Sequence, residues 1–241
     1  MQPNVGYNGR SLLDAVRLSE ACADAMWSWS LNWGEVTPHI LVGSCPMTAD
    51  DLGRIASETQ ASAVLSVQHD DCLSYWNIDY ARMRERGRQL GLVMTRCPMR
   101  DFDLADQRRH LPHAVATLAD LQAAGHRTYV HCTAGLGRSP LTVLGYLTLV
   151  KGDSPDRAVE MIHAARPGAV PAWEAYHGCR DDLLATQRHR VEKRAYEIFQ
   201  GGSRGSSQAD WLQAESDVLR ALILSMADSP AACRDRSDAT S

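Results

Sequence analysis

Four short apolar runs punctuate the first 132 residues: Ile40 to Val42, Ala63 to Val67, Gly91 to Cys97 and Thr128 to Cys132. Each has the length of a strand and is closed by Gly, Pro or polar residues, so each predicts a buried strand. Between them the apolar positions recur three and four apart, the period of a helix with one face in a core. That spacing predicts a helix from Thr48 to about Gln60, with Asp50 and Asp51 in its first turn. It predicts another from Arg109 to Ala124, with Gly125 as its stop. Pro140 to Val150 is apolar almost throughout and predicts a buried helix. Ser154-Pro155 starts the next, which Pro167 ends, and Trp173 to about Arg190 forms one more. Upstream, Leu12, Leu13, Val16, Ala23 and Trp27 place a helix over Ser11 to Ser28, and Trp27, Trp29 and Trp33 read as the seal of a core edge. Strands alternating with helices predict an α/β fold: a mainly parallel sheet of four or five strands flanked by helices.

The last fifty residues change character. Val191 to Phe199 is a short charged helix, residues 201–207 are a Gly/Ser link, and Asp210 to Met226 has an apolar face of Trp211, Leu212, Val218, Leu219 and Leu222. Together they predict a C-terminal helical hairpin over 191–226, followed by a frayed polar tail over 227–241. Residues 1–32 read as an N-terminal helical extension and 33–190 as the main domain.

The formal charge of −4 argues against a nucleic-acid partner, which needs a basic footprint. One focused basic pocket for a phosphorylated substrate is still compatible with it. No apolar stretch approaches the roughly 20 residues of a membrane span, and Met1 to Arg10 lacks the apolar core of an export signal. A cytoplasmic protein with no membrane partner is expected. The seven cysteines are odd in number and singly spaced, which fits neither a disulfide framework nor a zinc knuckle and suits a reducing compartment.

The chemistry concentrates in Tyr129-Val130-His131-Cys132-Thr133-Ala134-Gly135-Leu136-Gly137-Arg138-Ser139-Pro140. A strand enters this stretch and an apolar helix leaves it, so Cys132 sits where α/β proteins place ligands. Gly135 and Gly137 let the backbone curl and turn its N–H groups inward. The helix beginning near Arg138 adds its N-terminal field, and the Arg138 fork matches a phosphoryl dianion. The same field favours the Cys132 thiolate, a nucleophile aimed at phosphorus. The Ser139 hydroxyl can donate to its sulfur, and His131 reads as ordering the loop and not as a base. No Lys-Ser/Thr follows, so this is not a nucleoside-triphosphate loop, and no carboxylate cluster flanks it to hold a metal. A proton donor for the leaving oxygen is also needed. Asp101, Asp103 and Asp106 are the candidates; Asp106 sits where a helix cap would, and spacing leaves Asp101 and Asp103 nearly equal.

His131 through Arg138 resembles the signature of the dual-specificity branch of the cysteine phosphatases. Cys-Thr-Ala-Gly-Leu-Gly-Arg resembles, more narrowly, the loop of the glucan phosphatases, the plant starch-phosphate and laforin-like enzymes. The similarity runs from about Trp33 to Leu184: Ile40-Leu41-Val42-Gly43-Ser44 resembles the family's opening strand, Asp79 downstream of Tyr75 and Trp76 its recognition region, and Arg100-Asp101-Phe102-Asp103 its acid loop. The resemblance implies a cysteine phosphatase fold and no cofactor. It implies Cys132 as nucleophile, Arg138 as phosphate clamp, Asp101 in preference to Asp103 as general acid, and Ser139 as an aid to the second step. His131, Thr133, Ala134, Gly135, Leu136 and Gly137 become the phosphate-binding loop. Tyr75, Trp76 and Phe102 become the lining of a glucan channel.

The expected substrate is a phosphorylated glucan, with a phosphoprotein as the alternative. A phosphoinositide would want basic residues inside the loop, and a non-catalytic scaffold would not need the acid. There are departures from the family. No separate carbohydrate-binding domain is expected before Trp33. Arg166 to Val170 lacks an aromatic, although Trp173 is near, and Ser139 is commonly alanine in the plant enzymes. Arg194 to Phe199 and Ala209 to Glu215 resemble a short helical module common in bacterial proteins, which implies a bacterial source. The hairpin is expected either to pack on the catalytic domain or to serve docking or self-association. Cys72 and Cys97 stand as candidate disulfide partners of Cys132.

Overall fold

The computed structural model describes residues 28–202 and 205–227. The expected helix over Ser11 to Ser28 and the tail lie almost wholly outside them. All elements below belong to the unit that begins at Leu31.

Five strands form one sheet among the described residues: β1 (Trp33–Thr37), β2 (Ile40–Gly43), β3 (Ala63–Gln68), β4 (Val93–Met99) and β5 (Thr128–His131). Their order is β1-β2-β5-β3-β4, with β1 antiparallel to β2 and the other pairs parallel. The two central strands, β5 and β3, are buried at every position, which is why their sequences do not alternate between apolar and exposed polar residues; the polar side chains they do carry, Ser66, Gln68, Thr128 and His131, are buried too. From β2 the chain crosses to β3 and leaves a gap that β5 later fills. The crevice at the carboxyl end of β5 is therefore the place where a doubly wound sheet holds ligands.

Helices cover both faces. On one side α1 (Ala49–Thr59) packs Leu52 and Ile55 against Leu41, Val64 and Tyr129. Two more helices precede β4: α2 (Asp70–Tyr75) and α3 (Tyr80–Gln89). The other side carries α4 (Leu104–Ala123), α5 (Arg138–Gly145) continued by a π-helical turn over Tyr146–Val150, α6 (Pro155–Ala165) and α7 (Trp173–Ala185). Their apolar residues share the main core with Ala63, Leu65, Val67 and Val130. Finally α8 (Arg188–Gln200) and α9 (Ser207–Ala227) form the hairpin. Ala214 and Val218 of α9 meet Val191 of α8, while Leu219 and Ile223 enter the main core. Arg180–Glu215 at 2.5 Å and Arg194–Asp217 at 2.7 Å flank that contact.

Several elements differ from the expectation. β1 was missed because it is an edge strand with only alternate residues buried. α3 was missed because its arginines dominate and it buries little beyond Met83 and Gly87. α4 starts at Leu104, five residues before the expected Arg109, because Asp103 caps it: the Asp103 carboxylate accepts the Asp106 N–H at 2.9 Å. The helix expected through Arg190 breaks at Thr186-Gln187, and α8 begins at Arg188. Among the described residues no helix is long and apolar enough to cross a membrane.

Ile223 is fully buried, so Ile223→Ala should lower stability by about 2–5 kcal/mol. Tyr196→Ala on the exposed side of α8 should stay within about 0.5 kcal/mol. Urea unfolding midpoints check both. A small loss at Ile223 would mean that α9 does not share the core.

Candidate active site

β5 ends at His131 and α5 begins at Arg138, which leaves residues 132–137 to turn the chain. Every carbonyl of that loop is taken from outside. The Cys132 carbonyl lies 3.0 Å from His131 Nδ1; a carbonyl only accepts, so Nδ1 carries the proton. The Thr133 carbonyl accepts the Cys45 N–H at 2.9 Å. Arg166 donates from Nη2 to the Ala134 carbonyl and from Nε to the Gly135 carbonyl, both at 2.6 Å. The Leu136 carbonyl accepts the Val170 N–H at 2.6 Å, and that of Gly137 the Leu141 N–H at 2.9 Å. With the acceptors engaged outside, N–H groups are left for the inside, and those of Gly135 and Ser139 donate to the Cys132 sulfur.

Gly135 makes this curl possible. Its φ of 72° is left-handed, and a Cβ there would lie 2.3 Å from the Gly43 carbonyl oxygen. Gly137 is different: its φ is −114° and an added Cβ would meet nothing within 4 Å. The need for a left-handed residue without a side chain thus falls on Gly135.

Burial pushes the Cys132 thiol up, but Arg138, the Ser139 hydroxyl and the inward N–H groups outweigh it, so the thiol lies below its ordinary value. Ser139 Oγ is 3.4 Å from Cys132 Sγ. Burial drives His131 down to about 4; it is neutral near pH 7 and its contribution to the loop is the hydrogen bond.

Arg138 is 1% exposed and held from four sides. Nη1 donates to the Met99 carbonyl at 2.9 Å and lies 3.4 Å from Cys72 Sγ. Nη2 meets the Asp101 carboxylate at 2.7 Å and Thr133 Oγ1 at 3.2 Å. Thr133 Oγ1 also accepts from Gln68 Nε2 at 3.1 Å. Arg138 Nε is buried with no partner among the described residues, which leaves one N–H of the fork for a ligand oxygen.

The three aspartates separate cleanly. Asp101 is the one on Arg138. Asp103 caps α4. Asp106, expected as the cap, instead accepts the Arg100 N–H at 2.7 Å and steadies the loop from below. Asp79 caps α3. Tyr75 and Trp76 follow Cys72 at the end of α2 and stack edge to face, with ring centres 5.2 Å apart. Phe102 follows Asp101. Tyr75 is 80% and Phe102 95% exposed.

Gln68, Asn32 and Arg166 were not singled out from the sequence. Arg166-Pro167 carried only the signal of a helix end, and a buried arginine without a nearby acid leaves no pattern in a chain. The cysteine expectation needs a correction: Cys97 is disulfide-bonded while Cys132 is free, so the two are not joined. An open groove of about 580 Å³ between α8 and α9, lined by Arg190, Lys193, Arg194 and Arg220 among others, touches none of these residues.

A thiolate and an anion cradle in one loop suit phosphoryl chemistry through cysteine. The solved structure of PTPMT1 matches with a TM-score of 0.51 at 20% identity, over 67% of this chain and 99% of that one. That likeness shows the fold. Residues 60–177 match the family described as dual specificity phosphatase, catalytic domain. It is 31% identical over 163 residues to the phosphoglucan phosphatase DSP4 of Castanea sativa, covering 67% of this chain and 43% of that protein. It is 29% identical over 164 residues to laforin of Mus musculus, covering 64% and 50%. The chain spans half or less of the length of these relatives.

Two outcomes follow from the geometry. Ser139→Ala removes a donor to the thiolate, so the pH midpoint for iodoacetamide alkylation at Cys132 should move up towards that of the denatured chain. An unchanged midpoint would show that the hydroxyl does not act on the sulfur. Asp103→Ala should lower stability by about 1 kcal/mol through loss of the α4 cap; a thermal melt with no shift would contradict that role.

Proposed function

We propose that the protein removes phosphate from a phosphorylated glucan through a phosphocysteine intermediate. The observation that carries the substrate class is the placement of the exposed Tyr75 and Phe102 and the half-buried Trp76. Tyr75 and Trp76 follow Cys72 by three and four residues, Phe102 directly follows Asp101, and both Cys72 and Asp101 touch Arg138. Phe102 has a φ of 56°, a left-handed conformation that a bulky side chain rarely adopts, and it holds its ring out in water. Flat apolar faces beside a phosphate site suit sugar rings, whose CH faces stack where hydrogen bonds alone would compete poorly with water. The phosphoglucan phosphatase named above supports the same reading.

In the first step the Cys132 thiolate attacks phosphorus while Arg138 and the loop N–H groups hold the non-bridging oxygens. The P–O bond to the sugar breaks, and Asp101 in its acid form gives its proton to the departing oxygen. A substrate phosphoryl group competes with Asp101 for Arg138 and so releases the carboxyl towards the leaving group. In the second step Asp101 takes a proton from water, the water oxygen bonds to phosphorus, and the P–S bond breaks. The sulfur leaves as a thiolate stabilised by Ser139.

Phosphate release from solubilised phosphorylated amylopectin, scaled to an aryl phosphate and run beside a phosphotyrosine peptide, tests the substrate. A high glucan ratio is expected. A negligible ratio with a strong peptide rate would move the substrate to phosphoprotein. Trp76→Ala should raise KM for the glucan and barely alter the aryl phosphate; equal effects on both would assign the ring to packing. Asp101→Ala should slow a sugar leaving group more than an aryl one, and the same pattern in Asp103→Ala would reassign the acid.

A further inference from the structure

Arg166 closes α6 and turns back beneath the loop. It is 8% exposed, and its guanidinium is held at three points: the Ala134 carbonyl, the Gly135 carbonyl and Asn32 Oδ1, each at 2.6 Å. Asn32 is itself fixed, since its N–H donates to Ser44 Oγ at 3.0 Å and its carbonyl accepts the Ser44 N–H at 3.0 Å. The following segment reinforces the grip. The Val170 N–H takes the next carbonyl, Leu136, and His163 Nε2 holds the Ala169 carbonyl at 2.9 Å. No carboxylate pairs with Arg166 among the described residues, so its three partners are neutral oxygens.

A buried cation without an acid is costly unless a negative charge arrives nearby. The titratable and charged groups around Cys132 are Arg138 of α5, His131 and Tyr129 of β5, Cys45 after β2, Cys72 of α2, Asp101 of the acid loop, Arg96 of β4 facing His131, and Arg166. Burial keeps His131 and Tyr129 neutral near pH 7. Arg138 and Arg96 have acids of their own in Asp101 and Asp70. Arg166 does not, and the charge of Cys132 works against the burial that would otherwise disfavour its cation.

We propose that Arg166 is a positioning residue of this site: from behind the loop it holds two adjacent carbonyls outward, and it supplies a second positive charge for the thiolate and then for the bound phosphoryl group. The planar fork matters as well as the charge. Nε and Nη2 engage neighbouring carbonyls, a geometry that a lysine ammonium does not reproduce. The inference rests on Cys132 being the nucleophile.

The test compares wild type with Arg166→Gln, Arg166→Lys and Asn32→Ala. Three readings are taken: the pH midpoint of iodoacetamide alkylation at the Cys132 peptide by mass spectrometry, inhibition by inorganic phosphate, and kcat on an aryl phosphate. Circular dichroism reports folding. In Arg166→Gln the midpoint should rise by about 1 unit, the size of one lost neighbouring charge. Phosphate inhibition and kcat should each weaken roughly tenfold or more, about what one charge-assisted hydrogen bond supplies. Arg166→Lys should restore the midpoint but not phosphate binding or kcat, because charge returns and the fork does not. Asn32→Ala keeps the charge, so it should leave the midpoint in place and weaken phosphate inhibition modestly.

A folded Arg166→Gln with an unchanged midpoint and unchanged phosphate inhibition overturns the proposal. So does failure of both Arg166 variants to fold together with an inert Asn32→Ala, which would make Arg166 purely structural. A wild-type midpoint no lower than that of the denatured chain would instead overturn the nucleophile reading on which the inference rests.

Discussion

A loop that binds an anion through its backbone must dispose of as many carbonyl oxygens as it has N–H groups. Each residue brings one of each, and an unpaired buried carbonyl costs about as much as a lost hydrogen bond. The loop from Cys132 to Gly137 meets this constraint with partners recruited from four separate parts of the chain. His131 takes one carbonyl, the strand-end backbone at Cys45 a second, Arg166 two, Val170 a fifth, and α5 the last. The inner surface is the consequence. Because the acceptors are engaged outside, the donors and the start of α5 converge on Cys132 without competition from carbonyl dipoles. The sheet order serves the same end, since β5 lies between β2 and β3 and delivers the loop to the middle of the crevice.

Charge follows from that geometry. Arg138 is buried almost completely and would be unstable alone, but Met99, Thr133 and Asp101 surround it. Asp101 therefore occupies, in the free protein, a position that a phosphoryl oxygen contests. In the proposed mechanism this one contact joins binding and acid catalysis: a phosphoryl group that neutralises Arg138 also releases the carboxyl. The neighbouring acids have no such freedom. Asp103 is committed to the α4 cap and Asp106 to the Arg100 N–H. Three aspartates within six residues have three different tasks, and the contact each makes separates them where spacing did not.

The parts legible in the sequence were those whose cause is local. Short, mostly apolar or β-prone runs marked β3 and β5, and Cys132, Gly135, Arg138 and Ser139 stood in one contiguous stretch bounded by a strand and a helix. What escaped had causes distant in the chain. Arg166 acts on residues more than thirty positions away, and nothing beside it in sequence announces the partnership. Gln68 meets Thr133 across sixty-five positions. α3 escaped because a helix that buries Met83 and little else has no periodicity to read. The misplaced start of α4 is more instructive. Asp103 and Asp106 are both acceptable caps by type, and the choice between them is made by the Arg100 N–H, which draws Asp106 back into the loop.

Rigid and variable parts of the site are thereby divided. The cradle is over-determined: each carbonyl has its partner, and Gly135 faces Gly43 so closely that even a methyl group would not fit. Such a loop can bind the phosphoryl end of many substrates and distinguish few. On the proposed reading, discrimination falls to the exposed rings of Tyr75 and Phe102, on segments fixed at one end by Cys72 and Asp101. Two large rings left in water lose hydrophobic stabilisation that burial would have supplied, on the order of 1.5–3 kcal/mol for a fully buried side chain. The ion pair between Arg100 and Asp71 at 3.2 Å links the two segments that carry them. A ligand that covers either ring would therefore press on the segment that holds Asp101, and recognition at the rim would be coupled mechanically to placement of the acid.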